Sequence, residues 1–235
     1  MSKLRTFRSR ILSQIALPLI AIMAVVFSIN AWFNYQAEEQ YIYEELEHQA
    51  DNIARRIEFF LKSAETDTRA IADLLGQSHD LYGNAENLQR LLTRRLDRQP
   101  DFYGSAIAFQ KSILAGRQLF APYAYRDGNK IKLIDIAAEG YDYTDGNWDW
   151  WSKAINSANG YWSSPYFDEG AGNTLMVSYS QSFGKTAPYD GVVTVDLALN
   201  TIPKMVKVAA SRMVVIDDTG QLVYHQTPSI LLARS

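Results

Sequence analysis

YDYTDGNWDWWSKA, residues 141–154, opens the segment of the chain that decides its fold. From position 141 to position 168 the chain carries nine aromatic residues, among them four of its five tryptophans. Four aspartates lie in the same segment with a single basic residue, Lys153. Aromatic rings attract cations by roughly 0.5 to 2 kcal/mol per contact, and a carboxylate adds a charge-assisted hydrogen bond. The segment therefore predicts a pocket for a positively charged guest or, alternatively, the exposed edge of an aromatic core with solvated acids.

The N-terminal part of the chain predicts a membrane anchor. Residues 11–33 contain no charged side chain, and this length matches the roughly 20 residues that span a bilayer. Four bases precede the run and acids follow it, so the positive-inside rule places residues 1–10 in the cytoplasm and the rest outside. Trp32 and Phe33 at its end favour an uncleaved signal anchor over a cleaved signal peptide. We expect a single-pass protein of the bacterial inner (cytoplasmic) membrane, with its domain in the periplasm or outside the cell.

The charge balance argues against a nucleic-acid partner. The chain has 23 Lys+Arg and 26 Asp+Glu, a net charge of −3. Without the four N-terminal bases, 19 bases remain against 26 acids, a net charge of −7 for the exported part. The absence of cysteine excludes disulfides and thiol chemistry and is compatible with a periplasmic location.

Residues 34–76 predict a long stalk helix. Apolar residues recur every three or four positions from Ile42 to Leu75, and no glycine or proline interrupts them before Gly76. The stripe consists of Ile42, Leu46, Ala50, Ile53, Ile57, Phe60, Ala64, Ile71 and Leu75. This spacing suits a parallel partner helix, so we expect a homodimer through the stalk; in the alternative, the protein's own domain covers the stripe.

The region that follows predicts an α+β domain. A short helix is expected over residues 86–98, where leucines form one face, and another from near Asp149 to before Gly160. Strands are expected at residues 102–109, 120–126, 130–136, 175–183 and 192–196, with a loop over 184–191. These elements indicate a mixed sheet with helices on one side.

The order of these elements resembles the double Cache (dCache) sensor domain of bacterial chemoreceptors, histidine kinases, diguanylate cyclases and phosphatases. The resemblance covers residues 34–235 and rests on YDYTDGNWDWWSKA, on PYFD at 165–168 and on GVVTVDLAL at 191–199. It implies a PAS-like mixed antiparallel sheet with flanking helices. It also implies a membrane-distal lobe with a ligand pocket over residues 77–208, and the start of a membrane-proximal lobe over 209–235.

The resemblance also implies a set of ligand-binding residues. In amino-acid-binding members, a Tyr is followed five positions later by an Arg, then by a Trp-aromatic pair, a Tyr-x-Asp and an Asp that closes a Gly-Val-Val strand. The positions that match here, with Trp148 where the family has Arg, are Tyr143, Trp148, Trp150, Trp151, Tyr166, Asp168 and Asp196.

The tryptophan at position 148 changes the expected ligand. In the family the arginine holds the ligand's α-carboxylate and the acids hold its amino group, and an indole cannot replace a guanidinium. We therefore expect an amine or quaternary ammonium ligand, with an amino acid as the alternative within the same family. In the alternative in which these residues are structural, Trp148 only contributes to packing, Asp168 caps a loop and the ligand binds elsewhere. A partner-binding aromatic surface is the competing class of function.

Other chemistries fit less well. Asp145, Asn147 and Asp149 begin like a calcium loop, but Trp150 occupies the glycine position and Asn156 the position of the bidentate glutamate. We expect no metal, no cofactor and no catalysis in this chain; a carbohydrate-acting pair of Asp168 with Glu169 or Asp196 is the least favoured alternative.

The C-terminal residues 213–228 predict a strand, a turn and a returning strand. The resemblance identifies them as the opening of the proximal lobe, which the chain does not complete. We expect the chain to be part of a longer receptor, or a truncated product, whose effector domain lies elsewhere.

Overall fold

A computed structural model of the protein describes residues 12–138, 140–168, 173–202, 214–216 and 222–225. The chain divides into two units, Met1–Arg55 and Arg56–Ser235. The predicted cytoplasmic residues 1–10 lie outside the described residues. The boundaries predicted for the two lobes stay predictions.

The first element is a helical run that begins with one π-helical turn, Leu12–Ala16, and continues as α1, Leu17–Gln77. In the first unit the apolar side chains of this run are exposed; Phe27, for example, is 76% exposed. Among the described residues this is the one helix that is long and apolar enough to cross a membrane.

The apolar stripe of α1 has two environments. Ala64 and Leu75 are fully buried, and Phe60 and Ile71 pack against the core of the second unit. That half of the stripe is therefore covered by the protein's own domain, which was the alternative to a partner helix. In the first unit, Ile42 and Leu46 are 51% and 55% exposed, respectively, and only this half is left for a partner.

The second helix, α2, spans Ala85–Arg98, as the leucine spacing predicts. Its start is fixed by Asn84, whose side chain accepts a hydrogen bond of 3.0 Å from the Asn87 backbone N–H. Leu88, Leu92 and Leu96 are buried against the sheet and α1. A 3₁₀ turn, His79–Leu81, joins α1 to α2.

Seven strands form one open sheet in the described residues, in the order β3-β2-β1-β7-β6-β4, with β5 also paired to β6. Their bounds are β1 Gly104–Phe109, β2 Pro122–Asp127, β3 Lys130–Asp135, β4 Tyr161–Trp162, β5 Tyr166–Phe167, β6 Leu175–Phe183 and β7 Gly191–Ala198. The α+β class is confirmed. The sheet is not mixed, however, since every described pairing is antiparallel. The two-residue strands β4 and β5 were not predicted, because they are too short to show a period.

The sheet is covered on both faces. On the first face, Ile107, Val193 and Val195 pack with the apolar residues of α1 and α2. On the second face, Ala108 and Val192 pack with the aromatic segment that follows β3. The expectation of helices on one side is thus modified, because the short helix α3, Asp149–Ser152, packs on the second face.

Helix α3 is one turn long, although the sequence predicts it to continue almost to Gly160. The chain beyond it is drawn to β6 instead: the Ser182 hydroxyl donates to the Ser157 carbonyl at 2.5 Å, and the Gln181 amide donates to the Ala158 carbonyl at 3.0 Å. These tertiary contacts hold residues 157 and 158 against β6, so this part of the chain follows the sheet and not a helix axis.

Two further strands, β8 Val214–Ile216 and β9 Leu222–His225, pair antiparallel with each other. They confirm the predicted returning strand. The predicted turn at residues 218–220 lies outside the described residues.

Candidate functional site

The site is centred on Asp196 in β7, on the second face of the sheet. Asp196 is only 5% exposed. It lies directly opposite Ser178 of β6, whose hydroxyl donates to Asp196 Oδ1 at 2.6 Å. The Ser178 hydroxyl also lies 2.8 Å from the hydroxyl of Tyr166. Two of the predicted ligand-binding residues are thus linked through a serine that the sequence did not single out.

The pKa of Asp196 is raised to about 6, mainly by burial and also by the negative charge of Asp168, although hydrogen bonds from Ser178 and Tyr123 and the charge of Arg95 lower it. The carboxylate is therefore ionised at neutral pH but poorly solvated. A buried charge of this kind is stabilised by a cation that can reach it.

Four tyrosines lie near enough to the two acids to be affected by both charges. Burial raises the phenol pKa of Tyr103, Tyr123, Tyr141 and Tyr166, and the charges of Asp168 and Asp196 raise each of them further. Because each phenol is affected by both carboxylates, the four rings and the two acids lie in one region. The phenols stay neutral at physiological pH and offer ring faces and hydroxyl groups.

A glycine makes room for one of these rings. Gly104 of β1 pairs with Asp196 on one side and with Tyr125 on the other. The Tyr123 side chain passes so close over Gly104 that a Cβ there would overlap the phenol. Tyr123 also stacks on Tyr125, with ring centroids 5.5 Å apart. The missing side chain at position 104 therefore lets the Tyr123 hydroxyl reach Asp196.

Part of the aromatic segment serves as framework. Tyr143 is fully buried, and its hydroxyl donates to the backbone carbonyls of Phe109 and Phe120 at 2.7 and 3.2 Å. The ring of Trp151 lies 4.8 Å from that of Tyr143 and is 3% exposed. Both residues belong to the second core cluster, where they hold the segment against the sheet.

Trp148 and Trp150 both contact Tyr141, one of the four tyrosines near the two acids. The rings of Tyr141 and Trp148 are 4.4 Å apart, and Trp148 is half-buried just before α3. The Trp150 indole is hydrogen-bonded to the Tyr141 hydroxyl, and its ring lies 5.8 Å from that of Tyr143. Position 148, where the resemblance predicts the counterpart of an arginine, therefore carries an indole tilted against the Tyr141 ring.

Asp168 follows β5 and is half-buried. Its backbone N–H donates to Thr174 at 3.1 Å, and its carbonyl accepts from Asn173 at 2.8 Å, so the backbone is fixed here. Its carboxylate acts electrostatically on Asp196 and on the four tyrosines.

The sequence did not single out Ser178, Tyr103, Tyr123 or Tyr141 as ligand-binding residues. The signal for Tyr141 was its place at the head of the aromatic segment. The other three come close to Asp196 through strand pairing, which has no local pattern in the sequence.

The chain resembles known sensor domains. Residues 88–204 match the family model "Methyl-accepting chemotaxis protein-like, first PDC sensor domain". The extracellular domain of a protein described as a histidine kinase, soHK1S-Z6, is 48% identical, with 86% of this chain and 77% of that chain covered and a TM-score of 0.81. Methyl-accepting Chemotaxis protein X is 22% identical, with 84% and 78% covered and a TM-score of 0.70.

A more distant structure is the ligand-binding domain of the Campylobacter jejuni chemoreceptor Tlp3 in complex with L-norvaline. It is 18% identical, with 80% of this chain and 72% of that chain covered and a TM-score of 0.53, a likeness that concerns the fold alone. No curated protein sequence matches the chain.

Proposed function

The chain belongs to the Cache-type (PDC) family of extracellular sensor domains of chemoreceptors and histidine kinases, and on that premise we propose that it binds a small cationic amine at Asp196. It acts as the sensory module of a single-pass membrane receptor and works by binding, not by catalysis. The observation that carries the proposal is a buried carboxylate, Asp196, which acts electrostatically on four tyrosines and on a second acid, Asp168.

The chemistry of these two carboxylates and four tyrosines favours an ammonium group as the ligand. An ammonium donates to Asp196 and is attracted by the faces of Tyr103, Tyr123, Tyr141 and Tyr166. A ligand carboxylate would meet two like charges, and Trp148, at the position of the family's arginine, gives it no guanidinium. An α-amino acid is the second candidate, since the related fold of Tlp3 holds L-norvaline.

The competing function, a flat aromatic surface for a protein partner, has less support. Tyr143, Trp150 and Trp151 are each at most 6% exposed and belong to a core cluster. Side chains that are already buried have little apolar surface left for a partner to cover.

Three matched ligands test the proposal. n-Butylamine is L-norvaline without its carboxylate, and pentanoate is L-norvaline without its amino group. Isothermal titration should give the affinity order butylamine, then norvaline, with no binding of pentanoate. Asp196→Asn should lose most of the butylamine affinity, because an amide provides a weaker hydrogen bond and no charge. Tighter binding of pentanoate than of butylamine would exclude a cation site.

We also infer that the receptor forms a homodimer through the part of α1 nearest the membrane. Ile42 and Leu46 are exposed one helical turn apart, as a parallel partner helix requires. Anchoring in a bilayer raises the local concentration of the two copies, so a weak apolar contact is sufficient. Ligand binding then biases the position of α1, which leads to the membrane.

A further inference from the structure

Arg95 of α2 is a buried cation beneath the sheet. Its side chain is 2% exposed, and it forms an ion pair of 2.7 Å with Asp67 of α1. It also donates to the hydroxyls of Thr68 and Ser105, at 2.5 and 2.6 Å, and to the carbonyl of Thr194 at 2.8 Å. One guanidinium thus joins α1, β1 and β7.

The contact with Thr194 replaces part of the β1–β7 ladder. Regular pairing is present at Gly104 with Asp196 and resumes at Ile107 with Val193. Between these pairs the Thr194 carbonyl accepts from Arg95 and from the Ser105 hydroxyl, and the Ala106 N–H turns to the Thr194 hydroxyl at 3.0 Å. Arg95 therefore enters the sheet two residues from the carboxylate at the centre of the site.

Two carboxylates interact electrostatically with this cation. Burial lowers the pKa of Arg95, and the charges of Asp67 and Asp196 raise it again. Asp67 lies on α1, and Asp196 lies on the opposite face of the sheet, among the tyrosines. A change in the charge at one carboxylate therefore shifts the balance of the two attractions that act on the guanidinium.

We propose that Arg95 is the residue that couples occupancy of the site at Asp196 to α1. The inference rests on the proposed binding of a cation at Asp196. When an ammonium neutralises that carboxylate, Asp67 becomes the dominant anionic partner of Arg95, and the Asp67 and Thr68 contacts tighten. Because linkage is reciprocal, changes at Asp67 alter ligand affinity although Asp67 lies across the sheet from the ligand.

Ligand titration of the full chain in lipid nanodiscs is the first test. Asp67→Asn keeps an acceptor for Arg95 but removes the carboxylate charge that offsets the field of the guanidinium, so the potential at Asp196 becomes more positive and opposes a cationic ligand. The Kd for n-butylamine should rise about fivefold. Asp73→Asn, the same change at an exposed position of α1, should leave it within twofold. An unchanged Kd in Asp67→Asn overturns the coupling. If Asp67→Asn fails to fold, Thr68→Val is used in its place, because it removes the hydroxyl of α1 that accepts a hydrogen bond from Arg95.

A thermal double-mutant cycle without ligand separates this inference from the proposed function. The sum of the Tm shifts of Asp67→Asn and Asp196→Asn should differ from the Tm shift of the double variant by at least about 2 °C. The Tm shifts of Asp73→Asn and Asp196→Asn, in contrast, should be additive. Non-additivity without any butylamine binding supports the coupling and excludes the amine ligand. Additivity together with normal butylamine binding overturns the coupling and leaves the ligand proposal intact.

Discussion

The Ser178 hydroxyl and the Asp196 carboxylate are 2.6 Å apart, as direct neighbours across β6 and β7. Tyr166 extends this contact on one side, and Tyr123 bonds to Asp196 on the other. The carboxylate is therefore oriented by neutral hydroxyls, which can fix its direction without cancelling its charge. Such an arrangement favours a cationic ligand, because the charge is held in place but left for the ligand to neutralise.

The first prediction concerns stability. The pKa of folded Asp196, about 6, is higher than the ordinary aspartate value. Its contribution to the free energy of unfolding is therefore fully present below about pH 4 and is lost as the pH rises through 6. At pH 8 the buried charge costs on the order of 3 kcal/mol, so Asp196→Asn should raise the Tm of the ligand-free protein by roughly 5 °C or more. Calorimetry at pH 8 and pH 4 checks this, and an equal shift at both values would contradict it.

The second prediction concerns the pH dependence of binding. An ammonium ligand needs the ionised carboxylate, and the pKa of Asp196 in the free protein is about 6. The affinity for n-butylamine should therefore be nearly constant above pH 7 and fall about tenfold between pH 7.5 and pH 5. Isothermal titration in buffers of equal ionic strength measures this. A flat profile would show that Asp196 does not hold the ligand.

The third prediction concerns ligand preference. Trp148→Arg should shift preference from n-butylamine towards L-norvaline, because a guanidinium at this position can grip a carboxylate bidentately. Trp148→Phe is the control, since it keeps an aromatic ring against Tyr141 and should keep the preference for the amine. The ratio of the two Kd values in each variant is the measurement. Equal ratios in both variants would mean that position 148 does not face the ligand.

The fourth prediction concerns Gly104. In Gly104→Ala the new Cβ would overlap the Tyr123 phenol, so that ring should move away from Asp196. We expect a loss of about 1–3 kcal/mol in stability and at least tenfold weaker butylamine binding. Gly83→Ala is the matched control, because a Cβ there meets nothing within 4 Å. Thermal melts and butylamine titration of both variants measure these effects. Unchanged butylamine binding in Gly104→Ala would show that Tyr123 is not part of the site.

The fifth prediction concerns assembly. The chain has no cysteine, so Ala50→Cys introduces a single cross-linking position on the stripe of α1. In the membrane-anchored protein this cysteine should form disulfide-linked dimers, and Ile42→Asp with Leu46→Asp should abolish them by placing charges in the contact. His48→Asp, off the stripe, should have no effect. Cross-linking that survives the double substitution would place the interface elsewhere.

Local patterns predicted the helices better than they predicted the site. The spacing of Leu88, Leu92 and Leu96 was sufficient for α2, because helical neighbours are close in sequence. Asp196 and Tyr166 were predicted as site residues through the family motif, and the structure links them through Ser178. Tyr123 was not, because its place beside Asp196 depends on the register of three strands and on the missing side chain of Gly104.

The stalk and α3 show the same limit. The stripe of α1 is continuous in sequence, yet Ala64 and Leu75 are buried in the domain while Ile42 is exposed. Periodicity identifies an apolar face but does not say what covers it. Likewise, the segment that follows α3 is held by side chains of β6 that lie more than twenty residues further along the chain.

Tyr143, with its hydroxyl bonded to Phe109 and Phe120, has a consequence for how such receptors diversify. It anchors the aromatic segment without using the side chains of Tyr141 and Trp148, which are half-buried, contact each other and are proposed to line the site. Substitutions at those two positions can therefore change the ligand repertoire while the anchor preserves the scaffold. A library randomised at positions 141 and 148 should yield many folded receptors with new specificities, whereas one randomised at position 143 should yield few that fold.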